Sequence, residues 1–518
     1  MNRAIEVDIA VIGASLGGVM AAWRAAQAGQ RVLLSAEHRW LGGQMTAQAV
    51  PPDEHRLIEH GGASESYLQF RQAMREHYLS QPDFRDRTAM TEGCNPGDGW
   101  VSRLCFEPAL AAAWFEQLLQ DMPGQHLLRY ARPVAVQRTG RRIEAVELAC
   151  GDERVSVRAR YVIDATDTGA LLPLAGLPFR LGKEAQAEFD EPAAPAQANP
   201  EDQQPVTHVL ALRRRNHALP VGSPPPGYEA WRAQGVAGYG HRLFSEYIPG
   251  ARPGESMRLP LFPQGEALDL WRYRRVIAAH MWETPREEVS LINWAQNDYG
   301  LQPLLDGPLS EQQVETAARE LSACLLHWLR TEAPRPDGGQ GYPELEVAPD
   351  ITGTPDGLAQ HIYVRESRRI VGLSTLTQRD IAHQAGTALE AVNRADSVGL
   401  AWYNMDMHPT VRSGQGLNAH VRPFTLPLGC FVPADCDNLL PGCKNIAVSH
   451  LVNACTRVHP AEWLIGEVAG LLAAFALKQG LTPTDIHASA TARAAFQQHL
   501  RKQGIPLHWD EPLLARLS

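Results

Sequence analysis

The chain has 518 residues, of which 44% are hydrophobic and 20% are charged, a composition that excludes a disordered chain and a coiled coil. Its 48 Lys and Arg against 58 Asp and Glu give a formal net charge of −10. A protein that tracks a nucleic-acid backbone is therefore not expected, because that role needs a basic surface. The length predicts two or three lobes, or one nucleotide-binding domain with a substrate domain inserted.

Cysteine spacing and the length of apolar runs indicate the cellular compartment of the protein. The eight cysteines contain no CxxC pair and no Cys/His spacing typical of zinc, so neither a disulfide framework nor a metal site is predicted. Glu6 and Asp8 stand where a secretory leader would carry positive charge. The longest apolar stretch, 464–477, contains Glu467 and is shorter than a membrane-spanning helix. We expect a cytoplasmic protein without membrane insertion.

The opening of the chain predicts a strand, a glycine-rich turn, a helix and a second strand. Residues 7–12 (VDIAVI) and 31–35 (RVLLS) favour strands, and the Ala-rich segment 19–28 favours a helix that ends at Gly29. Glycines in this context bring a helix N-terminus against a pyrophosphate. An ordinary tight turn is the alternative. The predicted cofactor contacts are Gly13, Ser15, Leu16, Gly17 and Gly18.

Two positions depart from the usual dinucleotide fingerprint. Ser15 replaces the middle glycine and crowds a phosphate slightly, although its N–H remains available. Ala36 stands at the end of the second strand, where an acid usually binds the ribose, and Glu37 follows it. Glu37 is therefore the candidate ribose ligand, and the adenosine-ribose contact stays open.

Three later segments follow in the order found in flavoproteins of the glutathione-reductase type. A glycine pair follows the second strand, and an apolar strand runs into DATDTG at 164–169. A helix is predicted to begin at Pro460, because proline suits the first helical position. These segments predict further FAD contacts at Gly42, Gly43, Gln44, Val134, Ala165, Thr166, Asp167, Gly442 and Pro460.

Longer strings resemble a bacterial family of FAD-dependent oxidoreductases. They include LGGQMTAQAVPPDEH (41–55), NPGDGWVSRLCFEP (95–108), NWAQNDYG (293–300), YVRESRRIVG (363–372) and HLVNACTRVHPAEW (450–463). The resemblance runs from about residue 7 to about residue 480. It implies bound FAD and an α/β fold, in which a Rossmann-like FAD-binding domain of the glutathione-reductase type carries an inserted α+β substrate domain.

The positions of the motifs predict how the domains divide the chain. The FAD-binding domain is expected to be discontinuous, over 1–60, 100–185 and 425–480. A substrate or cap domain is expected over 61–99 and 186–424, and a helical extension over 481–518.

The expected chemistry places three residues against the flavin. Substrate oxidation by hydride transfer to flavin N5 needs a proton acceptor, and a positive field at the N1–C2 edge. His450 is the expected base, since imidazole titrates near neutral pH, and a structural histidine is the alternative. Arg457 would supply positive charge, and His459 is the second candidate base. Asp53 with His55 and Asp406 with His408 are further acid–base pairs that the sequence does not rank.

Three functions compete. The expected one is dehydrogenation of a C–OH, C–N or C–C bond of a small molecule, with oxygen or another molecule as electron acceptor. The alternative is an FAD-dependent monooxygenase that uses NAD(P)H and O2, but the chain lacks the DGxxSxxR-like segment of such hydroxylases. A non-catalytic FAD-binding scaffold is the third, and the ionisable residues of the predicted catalytic face disfavour it.

Overall fold

A computed structural model describes residues 2–85, 94–120, 125–250, 252, 254–384, 386 and 389–517. Residues 86–93, within the predicted cap segment 61–99, lie outside the described residues. In chain order the strands are β1 (Asn2–Ile12), β2 (Val32–Ala36), β3 (Gln125–Arg129), β4 (Ala131–Thr139), β5 (Arg142–Cys150), β6 (Glu153–Asp164), β7 (Phe179–Arg180), β8 (Val206–Thr207), β9 (Leu210–Arg214), β10 (Tyr247–Pro249), β11 (Ser256–Arg258), β12 (Arg275–Ile277), β13 (Val289–Ile292), β14 (Asp298–Tyr299), β15 (Leu345–Val347), β16 (Arg369–Ile370), β17 (Ser397–Ala401), β18 (Met405–Met407), β19 (Leu417–Ala419), β20 (Phe424–Pro427) and β21 (Leu439–Pro441).

The α-helices in the same part of the chain are α1 (Leu16–Gln27), α2 (Glu65–Leu79), α3 (Pro108–Gln120), α4 (Leu171–Leu174), α5 (Gln186–Phe189), α6 (Tyr228–Ala233), α7 (Leu270–Tyr273), α8 (Glu311–Thr331), α9 (Pro349–Thr352), α10 (Gln378–Ile381), α11 (His450–Thr456), α12 (His459–Gln479), α13 (Pro483–Ala488), α14 (Ala490–Lys502) and α15 (Glu511–Leu514). A 3₁₀ helix spans Gly43–Met45.

The main sheet has seven strands in the order β3-β2-β1-β6-β5-β4, with β21 also beside β6. Strand β1 runs parallel to β2 and β6, and β2 runs parallel to β3. Strand β5 pairs antiparallel with β4 and β6, and the three strands form a β-meander. The α/β class and the strand–helix–strand unit at the start of the chain are confirmed.

Helices α1 and α12 pack closely because glycines lie at their contact. A Cβ on Gly466 would overlap the Gly17 carbonyl, and a Cβ on Gly470 would overlap that of Ala21. Either added side chain would therefore push the two helices apart. Their close approach holds the start of α12 beside the glycine-rich turn.

Helix α12 is the core helix of this layer. Among the described residues it alone is long and apolar enough to cross a membrane by length and composition. Its 21 residues extend beyond the apolar stretch noted in the sequence. Yet 94% of the most apolar 18-residue stretch of this helix is buried inside the protein. Packing against the sheet therefore accounts for its apolar composition.

A second hydrophobic core surrounds the four-stranded sheet β12-β13-β9-β15 and helix α8. Ser310 caps α8 by accepting a hydrogen bond from the Gln313 N–H. Val50, which follows the 3₁₀ helix, belongs to a third cluster with Ala211 and Val289 of this sheet. The second sheet thus packs against the segment that follows the glycine pair. The predicted domain boundaries stay a prediction.

Candidate active site

A cleft of about 510 Å³ opens at the carboxyl ends of β1, β2 and β6. Ligands of open α/β sheets bind outside these strand ends. Residues predicted as cofactor contacts that line the cleft are Gly13, Ser15, Glu37, Gly43, Ala165, Thr166 and Asp167. Around Val134, the lining residues are its neighbours Arg132 and Pro133 rather than Val134 itself. The cleft brings together segments that are far apart in the chain.

Hydrogen bonds hold the glycine-rich turn at the cleft. Gly13 has a φ of 101°, and its N–H donates to the Ser35 hydroxyl at 3.0 Å. The Ser15 hydroxyl caps α1 by accepting from the Gly18 N–H at 3.1 Å. The positive end of the α1 dipole therefore faces the cleft, where it favours an anion.

One predicted phosphate contact is engaged inside the protein. The Gly17 N–H donates to Glu462 Oε1 at 3.2 Å. It is therefore not available to a pyrophosphate, contrary to the prediction from the sequence. A Cβ on Gly17 would overlap the Gly442 carbonyl. Gly17 and Gly442 therefore serve close packing between the turn and the α12 layer.

Glu37 is one of the acids that line the cleft, whereas Ala36 is buried in the sheet. The Glu37 side chain is exposed to the cleft, but the protein that surrounds the cleft and the nearby Asp167 and Glu311 carboxylates disfavour its charged form. Together they raise the pKa of Glu37 to about 7. Glu37 thus stands where a carboxylate could accept hydrogen bonds from ribose hydroxyls, one residue beyond the usual position.

We expect the affinity for FAD to fall as the pH drops through about 7, because protonation weakens the Glu37 carboxylate as an acceptor. A charge-assisted hydrogen bond of about 1.5–3 kcal/mol corresponds to roughly a 10- to 100-fold change in the dissociation constant. Glu37→Gln should bind FAD weakly at every pH in this range. Titration of apoprotein with FAD, followed by flavin fluorescence, measures the effect. An unchanged pH profile in Glu37→Gln would exclude this role.

A buried polar cluster joins the turn, the glycine pair and α12. Glu462 Oε2 accepts from Gln44 Nε2 at 2.6 Å and from Lys444 Nζ at 3.2 Å. Lys444 Nζ also donates to Asp167 Oδ1 at 2.5 Å. The cluster ties the walls of the cleft together. Its centre, Lys444, was not predicted, although it is one of four lysines in a chain whose other basic residues are arginines.

The charge balance of this cluster is set by Lys444. Burial disfavours its charged form, but Asp167, Cys443 and Glu462 raise its pKa well above the usual value. Among the described residues, Asp167, Cys443 and Glu462 are the one group spaced to hold a metal ion. The Lys444 ammonium bonds to both carboxylates and supplies the positive charge that a metal ion would bring.

The segments expected beside the flavin meet at the start of α12. Pro460 lies in the first turn of this helix, as predicted. Gln44 Nε2 donates to the Arg457 carbonyl at 3.1 Å. Gln44 Oε1 and Arg457 Nε are buried and have no hydrogen-bond partner among the described residues. A ring with both donor and acceptor groups on its edge, such as isoalloxazine, fits these atoms.

The structure does not support His450 as a base. It is the first residue of α11, is buried, and its Nδ1 lies 2.6 Å from Glu184 Oε2. Arg369 holds the same carboxylate at 2.8 Å. His450 does not line the cleft, and it does not line a second cavity between the second sheet and β18. The ion pair makes it a structural histidine, which corrects our expectation.

His459 is likewise unsuited to proton transfer. Its Nδ1 accepts from the Asp53 N–H at 2.9 Å, so Nε2 carries the hydrogen and donates to the Val50 carbonyl at 3.1 Å. Burial lowers the pKa of His459 to about 4. Both ring nitrogens are occupied by backbone groups, which corrects its prediction as second base.

A second cavity, of about 460 Å³, lies between the second sheet and β18. Arg274 lines it and reaches Asp53 Oδ1 at 3.3 Å, while the Asp53 N–H bonds to His459. Arg457 donates to the Asp406 carbonyl at 2.8 Å, and Asp406 also lines the cavity. The cavity therefore adjoins the start of α12.

His408 is the histidine of this cavity. Its side chain is 27% exposed, and its Nδ1 lies 2.6 Å from Asp298 Oδ2. Asp298 also accepts a hydrogen bond from Arg365 at 2.9 Å. Burial of the Asp298 carboxyl raises its pKa, but the neighbouring Arg365 and His408 have the larger combined effect and hold this pKa below its usual value. The acid–base pairs considered from the sequence differ from the pairs in the structure. His408 lies 4.0 Å from Asp406, farther than from Asp298. His55 bonds to the Gly62 carbonyl rather than to Asp53.

The comparisons with known proteins agree with this geometry. A family model described as FAD dependent oxidoreductase matches residues 8–500. A search of curated proteins found no match.

A search of solved structures found several matches, each at low identity and with a low TM-score. p-Nitrophenol 4-monooxygenase from Pseudomonas putida has 11% identity and a TM-score of 0.36, with 99% of this chain and 92% of that chain covered. A geranylgeranyl bacteriochlorophyll reductase-like protein from Thermoplasma acidophilum has 10% identity and a TM-score of 0.31, with 97% and 85% covered. L-Proline dehydrogenase from P. horikoshii has 18% identity and a TM-score of 0.19, with 32% of this chain and only 23% of that chain covered. Similarities this weak carry no information about the reaction.

Proposed function

We propose, because this chain belongs to the FAD-dependent oxidoreductase family, that it oxidises a small molecule directly, at a C–OH, C–N or C–C bond. The observation that supports the proposal is the placement of the second cavity. That cavity is lined by ionisable groups, among them Arg274, Asp406 and His408. Arg274 and Asp406 are joined through Asp53 and Arg457 to the start of α12, where Glu462 bonds to Lys444 beside the nucleotide cleft.

FAD is the cofactor, and the domain of the protein that binds it is proposed to be of the glutathione-reductase type. The cleft residues Gly13, Ser15 and Glu37 would hold the pyrophosphate and the adenosine. Gln44 and the first turn of α12 would face the flavin edge. Bound FAD supplies the acceptor for two electrons. The chain's own residues bind and orient the substrate and move its proton.

His408 is the proposed proton acceptor in place of His450. A hydroxyl or amine that is oxidised loses its proton together with the hydride of the adjacent carbon. Because the Nδ1–H of His408 donates to Asp298, the lone pair of Nε2 is left available, and the carboxylate stabilises the imidazolium that forms. Asp298 is a positioning residue, since it acts through His408.

Arg457 is proposed to supply positive charge near the flavin edge. Its guanidinium is buried and bonds to the Tyr363 hydroxyl at 2.8 Å. Its backbone carbonyl accepts from Gln44. The helix dipole of α12 acts in the same direction, because its N-terminus begins two residues later.

Anaerobic mixing of the holoenzyme with a panel of alcohols, amines and saturated acids tests the proposal. We expect one class of donor to bleach the flavin absorbance without NAD(P)H, with the matching carbonyl, imine or alkene as product. The control is the same mixture with NADPH and no donor. Rapid bleaching by NADPH, followed by oxygen-dependent hydroxylation of an added compound, would overturn direct oxidation in favour of a monooxygenase.

A further inference from the structure

We infer that the second cavity is an organic-acid site, in which Arg274, Asn293 and Trp294 bind the carboxylate of a substrate with an apolar or aromatic body. The inference rests on the proposed function, since it names the substrate class of that same site. It concerns residues of the second sheet and its loops rather than the nucleotide cleft.

The cavity wall contains an excess of hydrogen-bond donors. Three residues with N–H donors line it and are almost fully buried: Arg274 is 6% exposed, Asn293 3% and Trp294 3%. In each, one N–H group has no partner among the described residues: Arg274 Nε, Asn293 Nδ2 and Trp294 Nε1. Buried donors are costly to leave unpaired. A carboxylate, which only accepts and offers about four lone pairs, matches such a set.

Arg274 is the cationic member of this set, and its protein contacts are long. Its Nη2 lies 3.3 Å from Asp53 Oδ1 and 3.4 Å from the Tyr273 hydroxyl, and its Nη1 lies 3.5 Å from the Pro51 carbonyl. These distances are at the outer limit for N–H···O bonds. The guanidinium is therefore held in place but retains capacity for a shorter, charge-assisted bond to a substrate carboxylate.

The acidic groups around the cavity each have an arginine partner. Asp53 pairs with Arg274, Asp298 with Arg365 at 2.9 Å, and Asp406 with Arg457 at 3.6 Å. An incoming acid thus meets no carboxylate without a counter-charge. His408 lies between two of these carboxylates, with its Nδ1 2.6 Å from Asp298 and its Nε2 4.0 Å from Asp406.

The rest of the lining fits an apolar or aromatic body. Trp100 stacks on Tyr273 with ring centroids 4.3 Å apart, and the cavity is also lined by Ile248, Leu259 and Leu270. Its volume of about 460 Å³ falls within the usual range of small-molecule sites. The combination of one anion anchor with an apolar wall is selective for acids over neutral compounds of the same shape.

Calorimetric titration of the holoenzyme with phenylacetate and 4-phenylbutyrate, each beside its matched amide, tests the inference. We expect at least one acid to bind roughly 10-fold or more tightly than its amide, since a hydrogen bond to a charged group is stronger than one to a neutral group. Arg274→Met should weaken acid binding by roughly 10- to 100-fold. Arg272→Met is the matched control, because Arg272 reaches Asp98 outside this set and the acid should bind as to wild type.

Trp294→Phe guards against misfolding of the Arg274 variant. It removes only the Nε1–H and part of the ring, so FAD content should be unchanged while acid binding weakens roughly 10-fold. Equal affinity for acids and amides, or wild-type acid binding in both variants, would overturn the inference. If a donor bleaches the flavin but acids do not compete with it, this inference fails alone. If acids bind through Arg274 but no donor bleaches the flavin, the proposed function fails alone.

Discussion

Replacing Gly13 with valine is expected to abolish FAD retention. Gly13 has a φ of 101°, a conformation that β-branched residues rarely adopt. A Cβ there would overlap the Ala165 carbonyl and lie 2.6 Å from the Thr166 amide nitrogen. Both groups belong to the wall of the cleft, so the clash displaces the surface that binds the pyrophosphate. The FAD content of purified protein, released by heat and quantified, measures the effect.

Gly29→Val is the matched control for that variant. Gly29 also has a positive φ, of 83°, but nothing lies within 4 Å of the Cβ position. We expect this variant to lose some stability through backbone strain, of about 1–3 kcal/mol, and to keep its FAD. Normal FAD content in a folded Gly13→Val protein would place the cofactor elsewhere.

His408→Gln should slow flavin reduction by substrate roughly 10²- to 10⁴-fold, the usual contribution of a positioned base. The side chain is partly exposed and pairs with Asp298, so the fold and the FAD content should be retained. Anaerobic stopped-flow measurement of flavin reduction in the wild type and the variant, beside their FAD contents, gives the effect.

His450→Gln separates the two histidines. It breaks the buried pair with Glu184, so we expect a lower melting temperature and a reduction rate near that of wild type. A slow His450→Gln protein beside a fast His408→Gln protein would restore the expectation drawn from the sequence and reject His408 as the base.

The nucleotide cleft could be predicted from the sequence because its signals are local. The motif from Gly13 to Gly18 covers the short turn after β1 and the first residues of α1, and its glycines have a direct steric meaning. Glu37 was placed at the cleft in the same way, by its position one residue after β2, and its contact with the ribose stays a prediction. Such contacts follow from spacing within one strand–helix–strand unit.

The side-chain pairings around the cleft and the second cavity could not be predicted, because they join residues that are distant in the chain. His408 and Asp298 are 110 residues apart, Arg274 and Asp53 are 221 apart, and Lys444 and Asp167 are 277 apart. His450 was misassigned for the same reason: its partner Glu184 is 266 residues away. Nothing local distinguishes a histidine that faces a cavity from one that faces a buried carboxylate.

We propose that the nucleotide cleft and the second cavity form one active site. A crystal structure of the FAD-loaded protein tests it most directly. We expect the flavin ring beside Gln44 and the first turn of α12, with one face open to the cavity that contains Arg274 and His408. A ring separated from that cavity by packed protein side chains would contradict the account.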